Sequence, residues 1–276
     1  MMPQSQKLIV RGLLCLSLML LTPIASYAWE YASQEKNVWH SVQLRAGAEF
    51  TKKWNNGIHL GISEDLRFDM FSTTPVNNAF TDFGMAFNKS YTTLTFSYSP
   101  LKYLKLDAGY TLKLMGTKDW SDPDEFLRHR VFVGVTGSVK VNRVKLYLRE
   151  RAMCEMRTDS VNPLEKNKYN FMLRSKLGVE YSSFSKPVKP YAWVEVINTL
   201  NVPEYQQKNG HQYIRRVRTA LGVKYKINKN NGLDFYYRFN YGYDRDINIT
   251  KKAGNIELTE EFGYQHAIGI SYNFGW

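Results

Sequence analysis

Cysteine is the rarest residue of this chain. Its 276 residues include only two cysteines, Cys15 and Cys154. Cys15 lies in an apolar N-terminal segment with the features of a removable leader, so the rest of the chain holds one cysteine and cannot form an internal disulfide. A disulfide framework is therefore excluded, and a secreted chain of this size needs another source of stability.

Long apolar runs are missing beyond the N-terminus. Lys7 and Arg11 precede an apolar run from Leu13 to Leu21, and Ser26-Tyr27-Ala28 offers a small-x-small cleavage site. This pattern predicts a secretory signal peptide over residues 1–28. Its apolar run is shorter than the about 20 residues that a membrane-spanning helix needs. No later stretch of the sequence is long and apolar enough for such a helix.

Acidic residues are outnumbered. The chain has 37 Lys and Arg against 25 Asp and Glu, a formal net charge of +12. Loss of the predicted signal peptide would remove Lys7 and Arg11 and no acid, so the mature chain stays strongly basic. Positive charge of this size suits anionic solutes, lipid phosphates or nucleic acids. We predict no nucleic-acid partner, because the chain carries a secretory signal and no base-stacking motif.

The last sixteen residues alternate between bulky and small side chains. Bulky residues occupy every second position: Phe262, Tyr264, His266, Ile268, Ile270, Tyr272, Phe274 and Trp276. A period of two places them on one face of a β-strand. The strand ends on an aromatic residue at the chain terminus, which resembles the C-terminal strand of bacterial outer-membrane β-barrels. The resemblance implies that Tyr272, Phe274 and Trp276 are an assembly signal for the barrel assembly machinery.

The same alternation recurs in eleven segments. They run over about residues 40–52, 58–68, 92–98, 104–114, 131–135, 144–148, 169–181, 192–196, 217–227, 233–243 and 262–276. Such segments of about ten residues are typical of transmembrane β-barrels. Short connections such as Asn55-Asn56-Gly57 alternate with long ones such as Asp69 to Lys89 and Asp244 to Glu261. Residues 29–276 are therefore predicted to form one domain.

The predicted fold class is all-β, an antiparallel up-and-down transmembrane barrel with short periplasmic turns and longer extracellular loops. Single-chain bacterial barrels have an even number of strands. We therefore expect about twelve strands, or ten, and place the extra one within Trp29 to Val38. Alternation alone also fits a soluble lipocalin-type barrel, whose apolar row points inward. Aromatic ends of the apolar rows and many full charges in the polar rows favour the membrane barrel.

Several short stretches resemble a known family. They are Ser63-Glu64-Asp65-Leu66-Arg67-Phe68, Leu104-Lys105-Leu106-Asp107-Ala108-Gly109-Tyr110, Leu148-Arg149-Glu150-Arg151, Leu173-Arg174-Ser175-Lys176-Leu177 and Pro190-Tyr191-Ala192-Trp193-Val194-Glu195. The sequence is similar here to Gram-negative outer-membrane proteins grouped as domain of unknown function 2490. The resemblance covers nearly all of the mature chain. It implies a porin-like barrel in the outer membrane of a Gram-negative bacterium and no particular activity.

The polar rows carry most of the charge. One Arg or Lys on the lipid face near mid-depth costs about 2–4 kcal/mol, so these rows must face the lumen. The basic residues are Arg45, Arg67, Lys105, Lys113, Arg130, Lys145, Arg149, Arg151, Arg174, Lys176, Arg216, Arg218, Lys224, Lys226 and Arg238. The acids are Glu49, Asp65, Asp107, Glu155, Glu180, Glu195 and Asp234.

One basic cluster in these rows is the candidate contact for a solute. It consists of Arg149, Arg151, Arg174, Lys176, Arg216 and Arg218. Two interpretations stay open: a basic pore that attracts anionic solutes, or ion pairs that fill a closed lumen.

Catalytic chemistry finds little support. An outer-membrane lipid hydrolase or acyltransferase would need a Ser–His pair, but a strand places His40 and Ser41 on opposite faces. We assign no catalytic residue, cofactor or metal, and leave the question of enzymatic activity open. The acidic loop residues Asp119, Asp122, Asp124 and Glu125 are interpreted as solvated rather than as a calcium site.

The leading functional prediction is a barrel without evident enzymatic activity. It would be either a narrow channel for small anionic solutes or a closed structural barrel. The alternatives are a lipid hydrolase or acyltransferase, and a surface adhesin that acts through the extracellular loops. The expected partners are outer-membrane lipid and lipopolysaccharide together with the assembly machinery. The oligomeric state is not predicted.

Two acids break the pattern. Glu64 and Glu150 stand in the apolar rows, six positions beyond Ile58 and Val144, where two strands begin. At about 2.5 Å of height per residue each lies near mid-membrane. We expect local bulges that turn both carboxylates inward towards arginine. The alternative is that they remain on the outer wall and face a protein partner or a second copy of the barrel, which would hide the charge from lipid.

The terminal aromatic residue offers a direct test of the assembly signal. Trp276→Ala is expected to reduce the amount of folded barrel in the outer membrane, because the last strand would lose its terminal ring. The measurement is the heat-modifiable band of the outer-membrane fraction on gels. An unchanged band would contradict the resemblance of the last strand.

Overall fold

Eleven β-strands close into a barrel. The computed structural model describes residues 35–73, 80–116, 127–157, 167–182, 187–202, 214–250 and 255–276. The predicted signal peptide and the acidic loop residues Asp119 to Glu125 lie outside this part. The strands are β1 Glu35–Lys53, β2 Ile58–Thr73, β3 Phe80–Leu101, β4 Leu104–Met115, β5 Leu127–Val141, β6 Val144–Arg157, β7 Tyr169–Tyr181, β8 Val188–Thr199, β9 Ile214–Lys226, β10 Asn231–Thr250 and β11 Asn255–Gly275.

The predicted fold class is confirmed, and all eleven predicted segments are strands. Neighbours in sequence pair antiparallel, and β1 pairs with β11 in parallel to close the barrel. No helix in the described part of the chain is long and apolar enough to cross a membrane.

The described part of the chain forms eleven strands, where the sequence predicts about twelve. Of the range 29–38, in which we placed an extra strand, residues 35–38 are the beginning of β1 and pair with β11. Residues 29–34 lie outside the described part. An odd number makes the first and last strands run in the same direction, so the closing pair is parallel. Closure satisfies the backbone hydrogen bonds whether the last pair is parallel or antiparallel.

The short connections share one end of the barrel, here called the turn end. They follow β1, β3, β5, β7 and β9, and the opposite end is called the loop end. The chain terminus also lies at the turn end, where the Lys53 amide donates to the Trp276 carbonyl over 2.9 Å. Gly57 has φ of 82° in the first turn, a conformation that favours glycine.

The strand register sets the tilt and width of the barrel. Following each residue to its register partner on the next strand, starting at Lys53, leads once around the barrel through all eleven strands. The circuit returns to β1 at Trp39, so the stagger is fourteen residues. With about 3.3 Å per residue and about 4.8 Å between strands, this stagger gives a tilt of about 41° and a backbone radius of about 11 Å. Long side chains directed inward from such a wall reach most of the way to the axis.

The two faces of the wall have opposite character. Large apolar side chains point outward and are exposed, including Ile62, Val133, Leu177, Leu221 and Ile268. Charged and amide side chains of the alternate row are buried inside, and Gln43 and Glu195 are almost fully covered. The apolar row therefore faces outward, as a transmembrane barrel requires and a lipocalin-type barrel does not.

Strands on one side of the barrel are longer than the sequence pattern predicts. The expected loop from Asp69 to Lys89 is largely strand, because β2 continues to Thr73 and β3 begins at Phe80. Most of the expected loop from Asp244 to Glu261 is strand as well. From Asp69 to Lys89 polar and apolar residues do not alternate regularly, whereas Ile247, Ile249, Ile256 and Leu258 form a short alternation within the second stretch. The barrel is consequently taller along β10, β11, β1, β2 and β3.

The expected bulges at Glu64 and Glu150 are absent. Neither residue lies at a register shift, and both stay in the outward row. Each carboxylate instead accepts a 2.6 Å hydrogen bond from the hydroxyl of an outward neighbour on the next strand, Thr92 for Glu64 and Ser175 for Glu150. These short bonds remain within the wall, so the strands do not need to bend.

Replacement of the wall carboxylate tests this orientation. Glu150→Leu is expected to give a barrel at least as stable as the wild type, because an acid on the apolar face is removed and Ser175 can bond to backbone instead. The measurement is the urea midpoint of refolded barrel in detergent.

The matched control is Glu155→Leu, five residues further along β6 on the opposite face. It should lower the stability by about 3 kcal/mol, because arginine partners are left inside the lumen. Equal losses in the two variants would contradict the outward placement of Glu150.

Candidate functional site in the lumen

A cavity of 620 Å³ runs along the inside of the barrel. Its lining extends from Thr51 and His59 near the turn end to Met115 and Arg157 near the loop end. Among the described residues, fourteen Lys and Arg line it: Arg67, Lys89, Lys105, Lys113, Arg128, Arg130, Arg149, Arg151, Arg157, Arg174, Arg215, Arg216, Arg218 and Arg238. The acids in the lining are Glu49, Asp65 and Glu155. The surface of the cavity is therefore strongly positive.

The six residues of the predicted basic cluster lie together on three strands, β6, β7 and β9, with β8 standing between the last two. Arg149 pairs with Lys176 across β6 and β7, and Arg151 pairs with Arg174. On β9, Arg216 and Arg218 stand opposite Ile197 and Glu195 of β8. Five of the six line the cavity. Lys176 instead lies over the ring of Trp193, 3.7 Å from its centroid.

Glu195 is the acid at the centre of this cluster. Its side chain is 1% exposed. Arg174 donates to both of its oxygens, over 2.8 and 2.7 Å, and Arg218 donates over 3.1 Å. Arg149 is a longer contact at 3.5 Å. One carboxylate thus holds three guanidinium groups in place, and the group keeps a net positive charge.

A second acid has the same arrangement nearer the loop end. Glu155 accepts a hydrogen bond from Arg130, and Lys113 and Arg128 are each 3.6 Å from it. Simpler pairs complete the set, with Arg151 donating to Asp107 over 2.5 Å and Arg67 to Asp65 over 2.6 Å. Ion pairing and an excess of cations therefore coexist in one lumen.

The sequence does not predict an apolar cluster that lies inside the lumen. Phe132, Met153, Met172 and Ile197 pack together on four neighbouring strands, β5 to β8. The Arg151 guanidinium lies 4.1 Å from the Phe132 ring centroid, and Arg174 contacts the Met153 sulfur at 3.8 Å. These apolar side chains therefore pack against Arg151 and Arg174 within the lumen. Its only signal in the sequence is apolar residues standing in otherwise polar rows.

Aromatic rings lie flat against the inner wall where the neighbouring strand carries glycine. Tyr147 covers Gly178 and Tyr191 covers Gly222, each so closely that a Cβ on the glycine would collide with the ring. Rings held against the wall in this way leave the centre of the lumen to the charged side chains. Glycines at lumen-facing positions of the strands are the sequence signal for this packing.

The terminal aromatic residues lie at the turn end. The Phe274 and Trp276 rings are 5.3 Å apart, and Phe274 also contacts Phe50 of β1. The Tyr272 hydroxyl donates to Asn231 at the start of β10. The three residues of the predicted assembly signal therefore tie the last strand to both of its neighbours.

Two of the described histidines lie on the outer wall beside tyrosine hydroxyls. His266 is on the outer wall, where its Nδ1 lies 2.6 Å from the hydroxyl of Tyr237. His129 has a similar contact of 2.5 Å with Tyr110 on the outer wall. In the described ranges, no group of three or more His, Cys, Asp or Glu side chains is placed to hold a metal ion.

Comparison with protein families identifies the chain. The model of the family described as protein of unknown function (DUF2490) matches residues 37–250. The chain belongs to this family. The match confirms the resemblance of the sequence to domain of unknown function 2490.

Known proteins add little further. No curated protein matches the chain. Among solved structures, the chain is similar to the NanC porin in its rhombohedral crystal form. The identity is 12%, the match covers 84% of this chain and 98% of the porin, and the TM-score is 0.43.

Removal of the central acid tests the role of ion pairing in the lumen. Glu195→Gln is expected to lower the free energy of unfolding by about 3 kcal/mol, because three arginines lose their shared carboxylate. Urea unfolding of the refolded barrel measures the loss.

Glu49→Gln is the control, since Glu49 lines the same cavity and accepts a 3.1 Å hydrogen bond from Thr51 in an exposed position. Its effect should stay within about 0.5 kcal/mol. If both variants lost equal stability, Glu195 would have no special role.

Proposed function

We propose that this DUF2490 protein is an outer-membrane barrel of a Gram-negative bacterium and forms a narrow channel for small anionic solutes. One observation carries the proposal: the cavity along the lumen is lined by fourteen Lys and Arg residues and three acids. A channel of one sign concentrates counter-ions and excludes ions of its own sign, since low-dielectric walls focus the field.

The width of the barrel supports passage of small solutes only. A backbone radius of about 11 Å leaves a narrow lumen once side chains project inward. Ion pairs such as those of Glu195 keep some arginines close to the wall rather than across the axis. These ion pairs therefore lie along the proposed route of the solute and reduce its width. A reduced width favours a slow and selective channel over a wide pore.

The membrane setting belongs to the proposal as well. The outward apolar band would contact outer-membrane lipid, and basic residues near its ends would meet phosphates of lipid and lipopolysaccharide. The aromatic end of β11 would be read by the barrel assembly machinery. The turn end would then face the periplasm and the tall side of the barrel would project outside the cell.

A planar lipid bilayer tests the channel. Purified barrel should give discrete conductance steps, and the reversal potential in a KCl gradient should show preference for chloride. The double variant Arg149→Glu with Arg174→Glu should lower that preference, because two lining charges change sign. Arg149→Gln with Arg174→Gln is the milder version should the reversed pair fail to fold.

The control is Lys140→Glu with Lys229→Glu, two exposed residues at the turn end that change the net charge by the same amount. It should leave the selectivity near that of the wild type. A silent bilayer containing heat-modifiable, folded barrel would contradict the channel and favour the closed structural barrel.

A further inference from the structure

The register places seven arginines at one depth of the lumen. With a tilt of about 41°, height rises by about 2.5 Å per residue along a strand and about 3.2 Å per step to the next strand. On this scale seven arginines lie roughly 16 to 23 Å above Lys53. They are Arg45, Arg67, Arg130, Arg151, Arg174, Arg218 and Arg238, each on a different strand. We call this set the arginine belt.

The belt combines two groups that lie far apart in sequence. Arg151, Arg174 and Arg218 belong to the basic cluster on β6 to β9. Arg45 and Arg67 come from β1 and β2 on the other side of the lumen. Arg218 and Arg67 nevertheless line the same cavity.

Acids compensate the belt only in part. Arg67 is bound to Asp65, and Arg218 shares Glu195 with Arg174 and Arg149. Arg45 donates to the side-chain oxygens of Gln43 and Gln265. Within the described residues, buried guanidinium nitrogens of Arg45, Arg151, Arg174, Arg218 and Arg238 have no hydrogen-bond partner. Buried donors and excess positive charge are both stabilised by an anion.

Aromatic stacking fixes the orientation of the guanidinium groups. Arg67 lies 4.0 Å from the centroid of the Tyr91 ring. Arg238 lies 5.0 and 5.2 Å from those of Tyr236 and Trp193. Stacking covers the face of a planar guanidinium and leaves its edge free. The N–H groups along that edge can then form paired hydrogen bonds to an oxyanion. Such bidentate bonds distinguish oxyanions from chloride.

We propose that the arginine belt binds an oxyanion with two negative charges, such as a phosphate or sulfate group, between Arg67 and Arg218. Their strands stand about 20 Å apart across the barrel, and an arginine side chain covers roughly a third of that distance from each side. The remaining third holds one tetrahedral oxyanion. The seven belt arginines are paired with four acids, Asp65, Asp107, Glu155 and Glu195, so at least three positive charges of the belt stay uncompensated. A dianion balances more of this excess than a monoanion does.

The inference deepens the proposed function by naming the class of anion and its site. It rests on that function for the route by which a solute enters the lumen. The test is therefore equilibrium binding, which does not require conduction.

Isothermal titration of the folded full-length barrel in detergent micelles at low ionic strength supplies the measurement. Sulfate is the probe, and methyl sulfate is the monoanion of matched chemistry. Sulfate should bind at one saturable site, with methyl sulfate weaker by at least about tenfold. Arg67→Gln and Arg218→Gln should each weaken sulfate binding by a similar factor.

Two further variants distinguish binding by the arginine belt from binding by the overall positive charge of the lumen. Arg157→Gln removes a lining arginine near the loop end, outside the belt, and should leave sulfate binding unchanged. Arg67→Lys keeps the charge without the paired geometry and should bind with intermediate affinity. Heat-modifiable migration of each variant on gels verifies that it is folded.

The outcomes distinguish the two proposals. A silent bilayer with sulfate binding retained would contradict the channel and support the belt. An anion-selective channel without saturable sulfate binding would overturn the belt and leave the channel. Equal loss of binding in Arg157→Gln and Arg67→Gln would also overturn the belt, because binding would then follow net charge alone.

Discussion

Every backbone amide and carbonyl in the wall of a transmembrane barrel must be paired within the wall, because hydrocarbon offers no partner. The remaining architecture depends on this constraint. Eleven strands meet it by closing β1 on β11 in parallel. The resulting fourteen-residue stagger sets the tilt, the tilt sets the radius, and the radius determines how far charged side chains reach into the lumen.

The barrel buries its charge and exposes its apolar residues, the reverse of a soluble domain. Two acids in the lumen each stabilise three buried cations: Glu195 contacts three arginines, and Glu155 contacts one lysine and two arginines. Flat aromatic rings over glycine leave the centre of the lumen to the charged side chains, and the apolar cluster around Phe132 packs against two of the arginines. Carboxylates anchor the arginines of the lumen, and the lining of the cavity is positively charged. The proposed selection of anions depends on these two features, fixed arginine positions and net positive charge.

Much of this was readable from the sequence, since a period of two assigns each side chain to a face. Arg149, Arg151 and Arg174 were placed in the lumen because the opposite face would put them in lipid. The strand number was less accessible, because the beginning of β1 has no clear alternation. The sequence does not predict the loop-end parts of β2 and β3 as strand for the same reason, because hairpins beyond the membrane need no apolar face. Bulges at Glu64 and Glu150 were wrongly expected because the hydroxyls of Thr92 and Ser175 were not recognised as partners.

Depth was the quantity that sequence could not supply. Parity placed Arg45, Arg67 and Arg218 inside, but only the stagger around the whole barrel shows that they share one level. That stagger depends on every strand pair together, and no local segment contains it. The arginine belt is therefore a property of the closed wall rather than of any motif.

The parallel seam between β1 and β11 has a consequence for the order of folding. It joins residues 35–51 to residues 259–275, the most distant strands of the described chain. Every other pair joins neighbours along the sequence and can form locally as hairpins. The seam cannot form before the last strand is present, so any sheet that pairs before closure has two free edges. Protection of those edges would therefore bear on the final folding step, the closure of the barrel by pairing of β1 with β11.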